Sequence, residues 1–346
     1  MNIETKTTRA ARYLAPNKIE PVEVPILPIG PHEALIKVKA CGFCGSDIGI
    51  ISGVHPRARP PLTVGHECCG TVAAVGSAES GLAVGDPVTI YPLISCGTCN
   101  ACRSGNSHVC SKLRLYGFDA EGAMAEYIKV PLSSLVPLPR EMPAEIGALI
   151  EPLAVAVHAV SRTSWASDTT AVVMGAGPIG LLTGLVAKAR GIPLVVITDV
   201  LESRLQLAQE VKLTAVHADA LQKTVEQLTS GEGVELIFEC AGSPATARAM
   251  TAIARPRGTI VNVSVFKKPV EVDLQAVNFK ELTILGSRVY TRHDFEQAVK
   301  LACNLPLRKL ITHKFPLSSV TEAYARFERG EGVCKVIVFP DQAEIE

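Results

Sequence analysis

The sequence predicts an α/β protein in which a doubly wound parallel sheet is joined to a second, mostly β domain. Three observations carry this. From about residue 156 to 285, apolar runs of strand length alternate with helix-length segments. A Gly-rich turn, Gly175-Ala-Gly177-Pro178-Ile179-Gly180, stands between the first of those strands and the helix after it. Before residue 155, Gly and Pro interrupt the chain often (Gly65, Gly70, Gly76, Gly85, Pro87, Pro92), which implies short strands and loops.

The first stretch, 1–155, reads as mostly β. Its segment Ala34-Leu-Ile-Lys-Val-Lys-Ala40 alternates apolar and polar, as a half-buried strand does. In the second stretch, 156–285, Ala171–Met174 precedes a helix from Pro178 to Arg190, and Leu194–Thr198 precedes a helix from Glu202 to Lys212. Val234–Cys240 precedes a helix from Pro244 to Ala254, and Thr259–Val263 follows. Strands apolar throughout and linked by helices belong to a parallel sheet covered on both faces. The third stretch, 286–346, holds helices at Asp294–Asn304 and Val320–Arg329 and a strand at Lys335–Phe339, and is expected to rejoin the first domain.

Composition sets the class. The chain has 346 residues, more than one ordinary core holds, so two domains are expected. Hydrophobic residues at 47% against 20% charged exclude a disordered chain. The 34 basic and 34 acidic residues cancel, and no basic stripe appears, so nucleic acid is not an expected partner. The first residues show no apolar core followed by a cleavage site, and stretches such as Gly175–Ala187 are too short and Gly-rich for a membrane span. A cytoplasmic protein without a membrane partner is the expectation. Disulfides are rare in that compartment, so clustered cysteines among the eleven point to metal.

The Gly-rich turn is in the context that makes it informative, after a strand and opening a helix. Gly175 allows the tight turn, Gly177 lets the backbone approach a pyrophosphate, and Gly180 lets helix and strand pack closely. The helix N-terminus offers the phosphates free N–H groups. Asp199 ends the next strand, where a carboxylate bonds the adenosine ribose and repels a 2′-phosphate. The domain is therefore expected to be of the Rossmann type and to favour NAD over NADP, with Arg204 against the adenine or easing a phosphate. The bland alternative is a tight turn in a non-binding sheet, with Asp199 as a helix cap.

Cys96-Gly-Thr-Cys99-Asn-Ala-Cys102 is followed by Cys110. Thiolates so spaced can close a tetrahedral zinc site, and four of them leave no open position, so this metal would staple a loop. An iron–sulfur cluster is the competing use of the spacing. Zinc is preferred because nothing else in the chain suggests electron transfer.

Cys44-Gly-Ser46-Asp47 and Gly65-His66-Glu67 offer a second, mixed donor set, and Glu151-Pro-Leu adds a carboxylate near the domain junction. Three protein ligands and one exchangeable position is the pattern of a catalytic zinc. Singly, each residue also has a plain structural reading as a core thiol, a satisfied histidine or a capping acid.

Taken in order, these segments, with Val84-Gly-Asp-Pro-Val88 and Ala125-Glu-Tyr127, resemble the zinc-containing medium-chain dehydrogenases, most closely the polyol branch that handles sorbitol, threonine, butanediol, galactitol and sugar acids. The resemblance runs from about Glu33 to Phe339. It implies a GroES-like catalytic domain beside the Rossmann-type domain, two zinc ions per chain, NAD as cofactor and a homodimer or homotetramer. It implies Cys44 and His66 as catalytic zinc ligands, Glu67 or Glu151 as the third with some preference for Glu67, and Ser46 as the start of the proton path. Many members carry a histidine two residues past the aspartate. Here that position is Gly49, which puts the proton exit in doubt and leaves His55 as a nearby substitute.

The expected reaction is oxidation of a secondary alcohol on a small polyhydroxylated substrate, with hydride passing to NAD. Zinc lowers the pKa of a bound water from about 15.7 to about 7, a shift worth on the order of 12 kcal/mol. A positioned base alone contributes roughly 3 to 5 kcal/mol. The metal is therefore expected to carry most of the activation. Arg288, in Gly286-Ser-Arg288-Val-Tyr290, is a candidate partner for a substrate carboxylate, or for the cofactor or a neighbouring acid. Phe118 is a candidate pocket wall. The alternatives are a primary alcohol or aldehyde oxidoreductase of the same kind, or a catalytically silent NAD-binding redox sensor or scaffold.

Overall fold

A computed structural model describes residues 7–76 and 81–341. Residues 1–6, on which the reading of the N-terminus partly rests, lie outside the described residues. The chain divides into two compact units. The first holds residues 1–151, 298–303 and 311–346, and the second holds 152–297 and 304–310.

The first unit is built on a seven-stranded sheet. Its path runs Leu135–Pro137, Pro87–Ile90, Glu67–Val75, Glu33–Gly42, Lys335–Phe339, Ile311–Pro316, with Tyr127–Pro131 also on Glu33–Gly42. Glu33–Gly42 is the hub, and this explains a departure from expectation. Its alternation predicts one wet face, but Ala34, Leu35 and Ile36 are all buried, because three other strands pair with it. Register places Gly42 beside Glu67 on one side and Ile337 on the other. The Gly- and Pro-rich loops predicted here are present, and the helix after Cys44 is only seven residues long, Gly45–Ile51.

The second unit holds a six-stranded parallel sheet in the order Thr214–His217, Leu194–Asp199, Thr170–Met174, Val234–Glu239, Ala254–Asn262, Thr283–Gly286. Thr170–Met174 is buried at every position, as its unbroken apolar run requires. Val172, Met174, Val196, Ile237 and Ile260 form one core with Leu221, Val225, Met250 and Ile253 from the helices Leu221–Leu228 and Pro244–Ile253. Sequence periodicity missed the strand Thr214–His217 and the helix after it. That strand is an edge, only partly buried, so it carries no apolar run.

The unit boundaries differ from those expected. The first break falls at Glu151/Pro152 within the helix Ile150–Ser161, and residues 286–297 stay with the second unit. The cause of the latter is local. Tyr290 is fully buried with its ring 5.4 Å from that of Phe295. Asp294 accepts from His158 Nδ1 at 2.8 Å and from Ser161 Oγ at 3.3 Å. No helix among the described residues is long and apolar enough to cross a membrane.

Candidate functional site

Cys44, His66 and Glu67 come together from separate elements, with a ligand atom of each within 4.8 Å of the others. Cys44 is the N-cap of the helix Gly45–Ile51, and the cap fixes it: its N–H donates to Asp47 Oδ2 at 2.9 Å, and the Asp47 N–H donates to the Cys44 carbonyl at 2.9 Å. His66 follows Gly65, whose φ of +93° turns the chain just before the strand that Glu67 begins. His66 and Glu67 are 4% and 1% exposed. Glu151 is not within this tight group but is buried, and its charge reaches His66.

The electrostatics call for a cation. Burial works to keep the His66 ring neutral, yet its hydrogen bond with the Cys44 sulfur and the electrostatic pull of Cys44, Asp47 and Glu151 raise its pKa to about 10. Burial pushes the Asp47 carboxyl up to about 6 against the pull of His66 and the Cys44 N–H. Three acidic groups thus act on one histidine, and a fourth beside it, Glu67, is held by Lys335, whose ammonium is 2.8 and 2.6 Å from its two oxygens. A divalent ion held by Cys44, His66 and a carboxylate would offset much of that negative charge, and the mixed soft and hard donors suit zinc.

Three buried polar atoms at this place have no hydrogen-bond partner among the described residues: Ser46 Oγ, Asp47 Oδ1 and His66 Nδ1. The last two face each other at 4.0 Å. Phe118 lies edge-on to His66, ring centroids 5.0 Å apart, and also edge-on to His55 at 5.1 Å. His55 itself is a poor stand-in for the histidine missing at Gly49. Its Nδ1 accepts the N–H groups of Ala58 and Arg57 at 3.1 and 3.4 Å, so the neutral ring carries its proton on Nε2. Taking up another would break those bonds, and burial and Arg57 hold its pKa below the usual value.

Cys96, Cys99, Cys102 and Cys110 also converge. Sulfur pairs lie 3.5, 3.8 and 4.0 Å apart. Zinc–sulfur bonds of about 2.3 Å put tetrahedral sulfurs about 3.8 Å apart, so the cluster fits a zinc ion. Backbone and hydroxyl donors of Thr98 lower Cys96 to about 7, and the Cys102 and Ser111 N–H groups lower Cys99 to about 5. Burial and neighbouring thiols push Cys102 up to about 11. The four cannot all ionise in contact unless a cation joins them.

In the second unit the glycine turn fits a dinucleotide for a testable reason. Gly175 has φ +101° and a Cβ there would press on Ala241; one on Gly180 would collide with the Gly175 carbonyl. Gly177 is different, since a Cβ there meets nothing within 4 Å. The fold does not need that glycine, whereas a pyrophosphate approaching the backbone does. Gly177 caps the helix Pro178–Ala189, with Pro178 in its first turn and Ile179 next. Asp199 is 7% exposed and already engaged. Its Oδ2 accepts the Ala176 N–H at 2.8 Å and lies 3.3 Å from Arg204 Nη1, while Oδ1 accepts the N–H groups of Val200 and Leu201. Arg204 therefore pairs with the acid while more than a third of its side chain stays exposed. Arg288 is exposed, with no hydrogen bond or ion pair among the described residues.

Residues 30–140 match the alcohol dehydrogenase GroES-like domain and residues 178–304 the zinc-binding dehydrogenase domain. The L-threonine 3-dehydrogenase of Bacillus subtilis is 38% identical over 92% of this chain and 94% of its own. The 2-dehydro-3-deoxy-L-galactonate 5-dehydrogenase of Pseudoalteromonas atlantica is 34% identical over 95% and 98%. This chain belongs to the zinc-binding medium-chain dehydrogenases, polyol branch. A Sinorhizobium meliloti protein solved bound to NADP superposes on this dehydrogenase with a TM-score of 0.90 at 32% identity, covering 97% of this chain and all of that one. The dehydrogenase is accordingly a zinc enzyme that oxidises an alcohol with a nicotinamide dinucleotide.

Sequence reasoning missed Lys335, which stands 268 residues from Glu67. A lysine opening the otherwise apolar run Lys335-Val-Ile-Val-Phe339 was the available signal, since a buried lysine needs a counter-charge.

Proposed function

We propose that the enzyme oxidises a secondary hydroxyl of a sugar acid to the ketone, with NAD as the acceptor and Cys44, His66 and Glu67 as zinc ligands beside Glu151. The observation that carries this is the meeting of Cys44, His66 and Glu67, with Ser46 two residues from Cys44 and its Oγ without a hydrogen-bond partner among the described residues. Bound there, zinc supplies the Lewis acidity that lowers the pKa of the substrate hydroxyl, and NAD supplies the hydride acceptor. Ser46 Oγ would receive the proton of the substrate hydroxyl while passing its own hydroxyl proton on to water, so that it relays the proton and does not keep it. Phe118, against His66, keeps water from that side of the site. The turn Gly175–Gly180 and the helix start behind it hold the pyrophosphate, and Asp199 the ribose. Arg288 is the cation we assign to the substrate carboxylate, because it is exposed and unclaimed by any neighbour.

NADH formation across L-galactonate, galactitol, L-threonine and 2,3-butanediol tests the reading. A higher kcat/KM for the acid than for the matching polyol is expected, falling to parity in Arg288→Met. No preference for the acid removes the substrate assignment. Cys44→Ser is expected to abolish turnover with every substrate, to lower zinc from about two to about one per chain, and to leave NAD binding intact.

Two further points belong to this reading. Thr283–Gly286 is an edge of the parallel sheet, and Ile284, Phe279 and Leu274 near it are 41, 76 and 71% exposed. We assign that edge to pairing with a second copy. A four-thiolate metal site and a further metal-binding thiol at Cys44 need reducing surroundings, which favours the cytoplasm.

A further inference from the structure

Lys335 opens a strand that is buried at every position, and it is itself 3% exposed. Its ammonium has three N–H donors and three acceptors: the Phe43 carbonyl at 3.0 Å, Glu67 Oε1 at 2.8 Å and Glu67 Oε2 at 2.6 Å. Both oxygens of Glu67 are therefore bound by Lys335, while the same carboxylate lies within 4.8 Å of Cys44 Sγ and a His66 nitrogen. The register makes room for this arrangement. Gly42 sits directly beside Glu67, and a Cβ there would strike Glu67 Oε2.

One carboxylate thus stands between two cations. A structural lysine would need a counter-charge, but that acid need not sit among metal ligands. A plain metal ligand would need orientation, which a neutral amide or a backbone N–H gives without drawing off charge. An ammonium on both oxygens withdraws the electron density that a metal would use. Charge counting points the same way. Cys44, Glu67 and Glu151 together carry more negative charge than a divalent ion neutralises, and an over-neutralised ion polarises a hydroxyl weakly.

We propose that Lys335 is a positioning residue that competes with zinc for Glu67, so that Glu67 serves as a weak, exchangeable ligand and not as a permanent one. This rests on the zinc site assigned above. Lys335 is 3% exposed, and the side chain it grips is that of Glu67, through which it acts.

The test is release of zinc from the purified holoenzyme to a chromophoric chelator. The phase belonging to this site is the one missing in Cys44→Ser. Lys335→Met frees Glu67 for the metal and is expected to slow that phase on the order of tenfold. Lys335→Arg grips both oxygens through a fixed fork and is expected to speed it. Neither change should alter the phase when combined with Glu67→Gln. With cobalt in place of zinc, Lys335→Met should weaken the visible d–d bands, as an added ligand does. Should Lys335→Met fail to fold, Lys335→Arg with and without Glu67→Gln decides the matter. Release that is unchanged, that shifts the same way in both lysine variants, or that shifts equally beside Glu67→Gln overturns the proposal and makes Lys335 a structural ion pair. Wild-type enzyme with one zinc per chain would instead remove the site itself, and this inference with it.

Discussion

At the scale of single residues, what each side chain can do depends on what already holds it. Asp199 shows this. As a bare carboxylate at a strand end it should repel a 2′-phosphate strongly. In the fold Arg204 lies 3.3 Å away and offsets that charge. Removing the guanidinium should therefore sharpen the choice of cofactor. Arg204→Ala is expected to lower kcat/KM for NADP more than for NAD, by about 10-fold in the ratio, a difference of about 1.4 kcal/mol. A ratio that stays the same, or moves toward NADP, would mean that Arg204 does not modulate the acid. The motif residues Cys44, His66, Glu67, Gly175 and Gly180 were legible in the sequence because each sits in a local turn or cap with its own signature. Lys335 was not, because its partner comes from a strand far away in the chain.

At the scale of elements, two local assemblies carry stability that is separable from the chemistry. The cysteine lobe has only short pieces of regular structure, such as Asn100–Arg103, so its thiolates take the place of a core. Cys99→Ser is expected to cut soluble yield and thermal stability and to remove one zinc, while the remaining folded enzyme keeps its KM for substrate. Normal stability in that variant would argue against a staple. The second assembly is the cap at Asp294, where His158 and Thr291 hold the carboxyl well below its usual range although burial opposes them. A folded-state pKa below the unfolded value means stability that is present above about pH 4 and is lost as pH falls toward the folded value. Asp294→Asn should cost about 2 kcal/mol at neutral pH. In denaturant melts, the gap between variant and wild type should close as pH drops below about 4. A gap constant down to acid pH would show that the charge is not what matters.

At the scale of the whole molecule, the exposed edge Thr283–Gly286 sets the last expectation. Ile284→Asp places a charge on a strand that we assign to pairing between copies. Sedimentation should then show a smaller species with zinc content unchanged, and an unaltered mass would refute that pairing. The sequence by itself determined the two kinds of domain, the parallel sheet, both cysteine and histidine donor sets and the dinucleotide turn. All of these rest on short-range periodicity or on spacing within a loop, which the chain carries locally. Tertiary structure alone decided that 286–297 stays with the sheet unit, that Arg204 pairs with Asp199, that His55 is locked by two backbone N–H groups, and that Glu67 is shared with Lys335. The Glu67–Lys335 and His158–Asp294 pairs join buried charges 268 and 136 positions apart, and desolvation makes such pairings obligatory without leaving a local pattern to read. The contacts of Arg204 and His55 span at most five positions, but they turn on side-chain orientation, which spacing does not encode.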